Sequence, residues 1–140
     1  MGHELTILVV DDYLDALDVW EMYLRAEGFN VLTAADGHQA LATATAALPD
    51  LIVMDLDLPG LSGIEIARAL RSRVETRDVP LIAATGHSDV AQLDRARQAG
   101  FDAVIVKPCD PSALLVEIRR LLAAPKAEAG PSGPPNSIIK

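Results

Sequence analysis

Four short apolar runs each stop abruptly on polar side chains: residues 5–10 on Asp11 and Asp12, 51–54 on Asp55, 81–84 on Thr85, and 103–106 on Lys107. Continuous apolar runs of this length suit strands buried on both faces rather than strands with one wet side. Strands of that kind pair in parallel, and a parallel pair needs a crossover of a dozen residues or more, usually helical. The fold class is therefore decided by what lies between the runs.

Between them the apolar period becomes helical. Over 14–27, Leu17, Trp20 and Leu24 recur with Asp18, Glu21 and Arg25 in between, and Gly28 supplies a stop. A fifth run at 30–34 leads to an alanine-rich helix at 37–47 that Pro49 ends. Leu58-Pro59-Gly60 reads as a turn. Ser62 with Glu65 matches a capping box, opening a helix that carries Ile64, Ala67, Leu70 and Arg71. Pro80 opens a strand at 80–84, Ser88 and Asp89 cap a helix reaching about Gln98, and Gly100 ends it. After a strand at 102–106, Asp110 caps a last helix with Pro111 in its first turn and Leu114, Leu115, Ile118, Leu121 and Leu122 on its apolar side.

The reading is an α/β domain of five parallel strands and five helices in strict alternation. Right-handed crossovers place helices on both faces of a doubly wound sheet. The flavodoxin-like order 2-1-3-4-5 is expected, although periodicity by itself does not set strand order. One domain is expected over 4–123. Residues 124–140 change to a Pro- and Gly-rich composition that cannot bury a core, and are expected to form a disordered tail.

In an open parallel sheet, ligands bind at the carboxyl ends of the strands. Asp11, Asp12, Asp55, Thr85 and Lys107 would meet there as three carboxylates, a hydroxyl and an ammonium. Such an oxygen-rich rim suits Mg2+ or Mn2+. Asp12 and Asp55 are the expected direct carboxylate ligands, Asp11 binds directly or through water, and the main-chain carbonyl of Asp57 adds another oxygen. Asp55 is the expected nucleophile, becoming an aspartyl phosphate. The metal, Lys107, and Thr85 or a backbone N–H would each take one phosphate oxygen. Singly, these residues have ordinary roles as helix caps, surface charge or β-formers. The weight lies in all five falling at strand ends.

A net charge of −8 provides no clustered basic footprint for nucleic acid. No apolar stretch reaches the length of a membrane span. Met1-Gly2-His3-Glu4 lacks the basic and apolar regions of a signal peptide, so a cytoplasmic protein is expected. Cys109 is the one cysteine; it has no disulfide partner in the chain and reads as a small, half-buried filler. His3 and His38 receive no functional reading.

The acidic pair Asp11-Asp12, the stretch from Met54 to Gly63, the Ala84-Thr85-Gly86 turn and Lys107-Pro108 together resemble the receiver domain of two-component response regulators over about residues 4–123. The resemblance, to a CheY-like module that stands alone or ends a hybrid histidine kinase, implies a phosphorelay function. Asp55 would be phosphorylated by a histidine kinase or a histidine phosphotransfer protein, with Mg2+ required and Lys107 contacting the phosphate. Thr85 would move toward it and couple the site to the face built from the fourth helix, fifth strand and fifth helix. That face would meet a downstream protein target or, after phosphorylation, a second copy. A cis Lys107–Pro108 bond is implied too. Docking of the phosphotransfer partner on the first helix is implied as well, although core packing is the first expectation for Trp20 and Tyr23.

Some positions depart from the commoner pattern or modulate it. Val104 stands where many receivers carry Tyr or Phe as a rotameric switch. Asp57 is placed to influence how water reaches the phosphate. In the turn Thr85-Gly86-His87-Ser88, His87 is a candidate to line the phosphate entrance, an exposed loop histidine being the plainer reading. The chain is expected to catalyse only its own phosphorylation and dephosphorylation, and to act through protein contact. Two alternatives stay open. Asp55-Leu56-Asp57 also resembles the nucleophile motif of haloacid-dehalogenase-type phosphatases, whose metal-binding acidic pair comes late in the chain. Val104 leaves room for a pseudoreceiver scaffold that is never phosphorylated.

Overall fold

The apolar runs become five parallel strands, β1 (Thr6–Val10), β2 (Asn30–Ala34), β3 (Leu51–Asp55), β4 (Leu81–Thr85) and β5 (Ala103–Val106), in the order β2-β1-β3-β4-β5. The computed structural model describes residues 4–86 and 89–123, so the expected tail at 124–140 lies outside the described residues. Helices α1 (Leu14–Ala26), α2 (Gly37–Ala47), α3 (Gly63–Arg71), α4 (Val90–Ala99) and α5 (Pro111–Ala123) fill the crossovers. Class, element count and strand order match the sequence expectation. No described helix is long and apolar enough to cross a membrane.

Alternation along each strand divides the core between the two faces. Leu8 and Val10 of β1 and Ile52 and Met54 of β3 pack with α2, α3 and α4. Ile7 and Val9, with Leu51 and Val53, pack under α1 and α5. Ile7, Leu8, Leu51, Ile52, Leu81 and Ile82 are fully buried, each contributing about 1.5–3 kcal/mol of transfer free energy. Because both faces are covered, the strands need no polar alternation, which is the pattern seen in the sequence.

The helix ends follow their local chemistry. Gly28, at φ 101°, ends α1 in a Schellman turn, with Phe29 N donating to Leu24 O and Gly28 N to Arg25 O. Gly100, at φ 115°, does the same for α4. The capping box of α3 is complete: Glu65 N donates to Ser62 Oγ and Ser62 N to Glu65 Oε1. Three expectations are adjusted. β4 begins one residue later than read, because Pro80 has no N–H and only its carbonyl joins the sheet, accepting from Ile52 N. Asp89 occupies the N-cap of α4 but its side chain makes no cap hydrogen bond; the backbone carbonyl alone accepts, from Leu93 N. Ser88 lies outside the described residues. Pro49 follows α2 as expected, but the turn itself is made by Leu48 in the left-handed region at φ 49°, an uncommon conformation for a side-chain-bearing residue.

Candidate functional site

Parallel register brings the strand ends level. Val10 pairs with Met54, Asp55 with Ala84, and Thr85 with Val106. The residues that close each run therefore emerge together on one rim. Asp11 is only 4% exposed. Its N–H extends the ladder to Ala34 O, its Oδ1 accepts from Tyr13 N at 3.0 Å, and its Oδ2 accepts from Lys107 Nζ at 3.0 Å. Asp55 is arranged in the same way: Oδ1 accepts from Asp57 N at 3.0 Å and Oδ2 from Lys107 Nζ at 3.1 Å. Each carboxylate is thus oriented by a backbone N–H two residues on, an Asx-type turn. Asp12 is exposed, yet carboxylate oxygens of Asp11, Asp12 and Asp55 all lie within 4.8 Å of one another.

Lys107 reaches this pair from the end of β5. Its N–H donates to Thr85 O at 2.7 Å, and its peptide bond to Pro108 is cis. Thr85 is completely buried and Asp57 is exposed. Gly86 is exposed, and a Cβ added there would meet nothing within 4 Å. His87 lies outside the described residues. Val104 is 6% exposed, pairs with Ala83 and belongs to the core on the α2–α4 face.

The charges balance unevenly. Burial raises the Asp55 carboxyl above its ordinary value; the Asp57 N–H and Lys107 pull it back only in part, and Asp11 pushes it further up. Burial alone would lower the Lys107 ammonium, but its hydrogen bonds and charge contacts with Asp11 and Asp55 outweigh that, and it is raised. Crowded carboxylates sharing one ammonium carry surplus negative charge. An all-oxygen donor set of this kind fits a hard divalent cation. Burial pushes the Cys109 thiol up, so it is not a poised thiolate.

Sequence reasoning missed two features. A Cβ on Gly63 would stand 2.7 Å from Asp55 O and 2.9 Å from Leu56 Cα, so only glycine lets α3 start against the phosphoacceptor candidate. The signal was available: a glycine directly after an N-cap serine is a poor helix former kept for another reason. The second is a groove running from Asp11 and Lys107 along α1, lined by Tyr13, Val19, Trp20 and Cys109. Trp20 and Tyr23 are half-buried against the α1–α5 core, as expected, and Trp20 also walls this groove.

Known proteins share the family and the fold. Residues 7–119 match the response regulator receiver domain family. The DNA-binding response regulator MtrA of Mycobacterium tuberculosis is 36% identical over 116 residues, covering 83% of this chain and 50% of MtrA. The chain spans about half the length of the curated relatives it matches. Chemotaxis response regulator CheY4 of Vibrio cholerae superposes with a TM-score of 0.81 at 29% identity, over 85% of this chain and 99% of CheY4. The receiver domain of sensor histidine kinase PA1611 from Pseudomonas aeruginosa, solved with magnesium in its active-site cleft, gives 0.81 at 32% identity, over 87% and 100% of the two chains.

Proposed function

The chain belongs to the response regulator receiver domain family, and from that premise we propose that its signalling step is transfer of a phosphoryl group from a phosphohistidine to Asp55. The observation that carries this reading is the convergence of Asp11, Asp55 and Lys107 on one rim, with the ammonium 3.0 and 3.1 Å from the two carboxylates. The side chains of Asp11, Asp12 and Asp55, with the main-chain carbonyl of Asp57, would hold Mg2+ or Mn2+. When bound, the metal offsets the negative charge of the carboxylate and the incoming phosphoryl group.

Asp55 attacks phosphorus through a carboxylate oxygen; the phosphorus–nitrogen bond of the donor breaks, and its imidazole leaves with the electron pair and takes up a proton. Lys107 passes from carboxylate to phosphate oxygen, and the Thr85 hydroxyl takes another. Asp57 and His87 are proposed to tune how water reaches the acyl phosphate, and Gly86 to keep that entrance open. The donor is a histidine kinase or histidine phosphotransfer protein, whose docking is supported by the exposed apolar side chains Tyr13, Leu14, Val19 and Met22 on and beside α1. A protein target, or a second copy, is proposed for the α4–β5–α5 face, which exposes Val90, Val106 and Val116. MtrA is named as DNA-binding; a net charge of −8 favours protein contact for this chain. The receiver unit is proposed to span 4–123, in the cytoplasm.

Neither alternative is favoured by the family match. The phosphatase reading also needs its acidic metal pair late in the chain, whereas Asp11 and Asp12 follow β1. Incubation with acetyl phosphate or phosphoramidate and Mg2+ is expected to add one labile phosphate to the parent and none to Asp55→Asn. Labelling of the variant would refute the nucleophile assignment. Beryllofluoride with Mg2+ is expected to shift NMR resonances of Thr85 and α4, and their silence would favour the pseudoreceiver.

A further inference from the structure

The loop over residues 56–62, which follows Asp55, is held from three sides. At its far end Gly63 N donates to Leu56 O at 3.1 Å, and the Ser62–Glu65 capping box fixes the start of α3. At its near end Leu56 N donates to Ala84 O, and Asp57 N to Asp55 Oδ1. The third side is the first turn of α2. A Cβ on Gly37 would stand 2.5 Å from the carbonyl oxygen of Leu61, 2.7 Å from its Cβ and 2.9 Å from Ile66 Cδ1. One residue on, the exposed His38 ring lies beside Gly60, 3.5 Å from where a Cβ would stand. The α2 turn is itself locked, since Gln39 N donates to Asp36 Oδ1 at 2.8 Å and Ala35 N to Gln39 Oε1 at 2.6 Å.

We propose that Gly37 is a positioning residue for the metal and phosphoacceptor site: through its contact with the Leu61 backbone, the α2 N-terminal turn braces the loop that presents the Asp57 carbonyl beside Asp55. The proposal rests on the metal site proposed above. A Cβ at position 37 meets main chain, which cannot rotate away as a side-chain tip can. Both ends of the loop are pinned, so the displacement falls on its middle, residues 58–61, and turns the peptide that carries the Asp57 carbonyl. An oxygen ligand held by a moved backbone weakens a site that tolerates little deviation from octahedral geometry.

Gly37→Ala is expected to raise the Mg2+ dissociation constant by about tenfold, the scale of an outer-shell defect, and to shift the amide resonances of Asp57 to Leu61 in metal-free protein. Gly100→Ala is the control for simple loss of stability. It is strained by its φ of 115° and by Arg71 at 2.8 Å, but lies at the opposite end of the sheet and is expected to lower Tm without changing Mg2+ affinity. Equal Mg2+ affinity in Gly37→Ala and parent overturns the brace, as does an equal loss of affinity in Gly100→Ala. If Gly37→Ala does not fold, His38→Ala removes an exposed contact of the same turn and is expected to raise the constant by about twofold, below the tenfold scale of an outer-shell defect because only a surface contact is lost; no change then overturns the proposal. A parent that binds no Mg2+ overturns the metal-site reading instead. The metal-free amide shifts then decide the brace, and unshifted resonances overturn it.

Discussion

Two half-buried cations sit at opposite ends of the sheet. Lys107, at the carboxyl ends of the strands, is held by two carboxylates. Arg71, at the other end, is held mainly by main chain: it donates to Gly100 O through Nε and Nη2, to Arg77 O and Val79 O through Nη1, and to Asp102 Oδ2 through Nη2. Asp102 Oδ2 in turn accepts from Leu81 N. The electrostatic outcomes are opposite. Burial lowers Arg71, with Asp102 and Asp78 resisting, whereas the carboxylates around Lys107 more than cancel burial and raise it. A planar fork spread over fixed carbonyls ties α3, the 72–79 segment, the end of α4 and the edges of β4 and β5 into one knot. A point charge shared by two carboxylates can be handed to a new anion without breaking any backbone bond. On the proposed function, one end of this sheet stays as it is and the other exchanges partners.

Truncating each cation separates the two ends most directly. Arg71→Ala takes the guanidinium from the carbonyls of Arg77, Val79 and Gly100 and leaves Asp102 with its bond from Leu81 N but no cation, and is expected to cost about 3 kcal/mol of unfolding free energy, in Mg2+ and in EDTA alike. Lys107→Ala leaves Asp11 and Asp55 unpaired and is also expected to destabilise the protein in EDTA. There Mg2+ is expected to restore most of the loss relative to the parent, because carboxylates no longer sharing an ammonium bind the cation more tightly in the folded variant than in the folded parent. Denaturant unfolding of both variants with and without Mg2+ measures this. A loss relative to the parent that Mg2+ shrinks in Arg71→Ala, or leaves unchanged in Lys107→Ala, removes the distinction.

How far sequence could see differs between the two ends for the same reason. Asp11, Asp55 and Lys107 announce themselves because their partners are side chains at recognisable strand ends, and the Ser62–Glu65 box because both partners are typed residues. Arg71 was visible only as one residue of α3. Its partners are the carbonyls of residues 77, 79 and 100, and a carbonyl has no letter in the sequence. Leu48 in the left-handed region and the Gly37–Leu61 contact were hidden likewise, since each depends on a backbone path. Gly100 was read as a helix stop, correctly, yet it has a second constraint: a Cβ there would stand 2.8 Å from Arg71 Cγ and Nε.

A milder exchange sharpens the contrast. Arg71→Lys keeps the charge but offers a compact ammonium where the guanidinium reached four acceptors, and is expected to cost about 1–2 kcal/mol. Lys107→Arg is expected to cost less stability, because the carboxylates accept a guanidinium readily, while its bulk obstructs the phosphate position and lowers labelling of Asp55 by acetyl phosphate. Thermal melts beside a labelling assay separate the two readouts. Equal melting losses with labelling intact would show Lys107 to be a structural group like Arg71.

The smallest effect concerns Asp55, and its sign follows from linkage. Its carboxyl is raised in the folded state, burial being the largest cause. The folded protein therefore holds this proton more tightly than the unfolded chain, whose ordinary value is 3.8. Below that value the group is neutral in both states and costs nothing. As pH climbs through the folded-state value the unfolded chain has already ionised, stability falls, and the penalty persists at neutral pH. Asp55→Asn, similar in shape and uncharged, escapes it. In EDTA at neutral pH the variant is expected to melt above the parent, with the gap closing as pH approaches 3.8. Added Mg2+ is expected to reverse the order, because only the parent keeps the full set of carboxylates. The Arg71 guanidinium stays charged throughout this range, so no matching proton-linked change in that cation accompanies it at the far end. A variant less stable than the parent at neutral pH without metal would mean that the ion pair with Lys107 outweighs the desolvation of Asp55, and that the site is a structural knot after all.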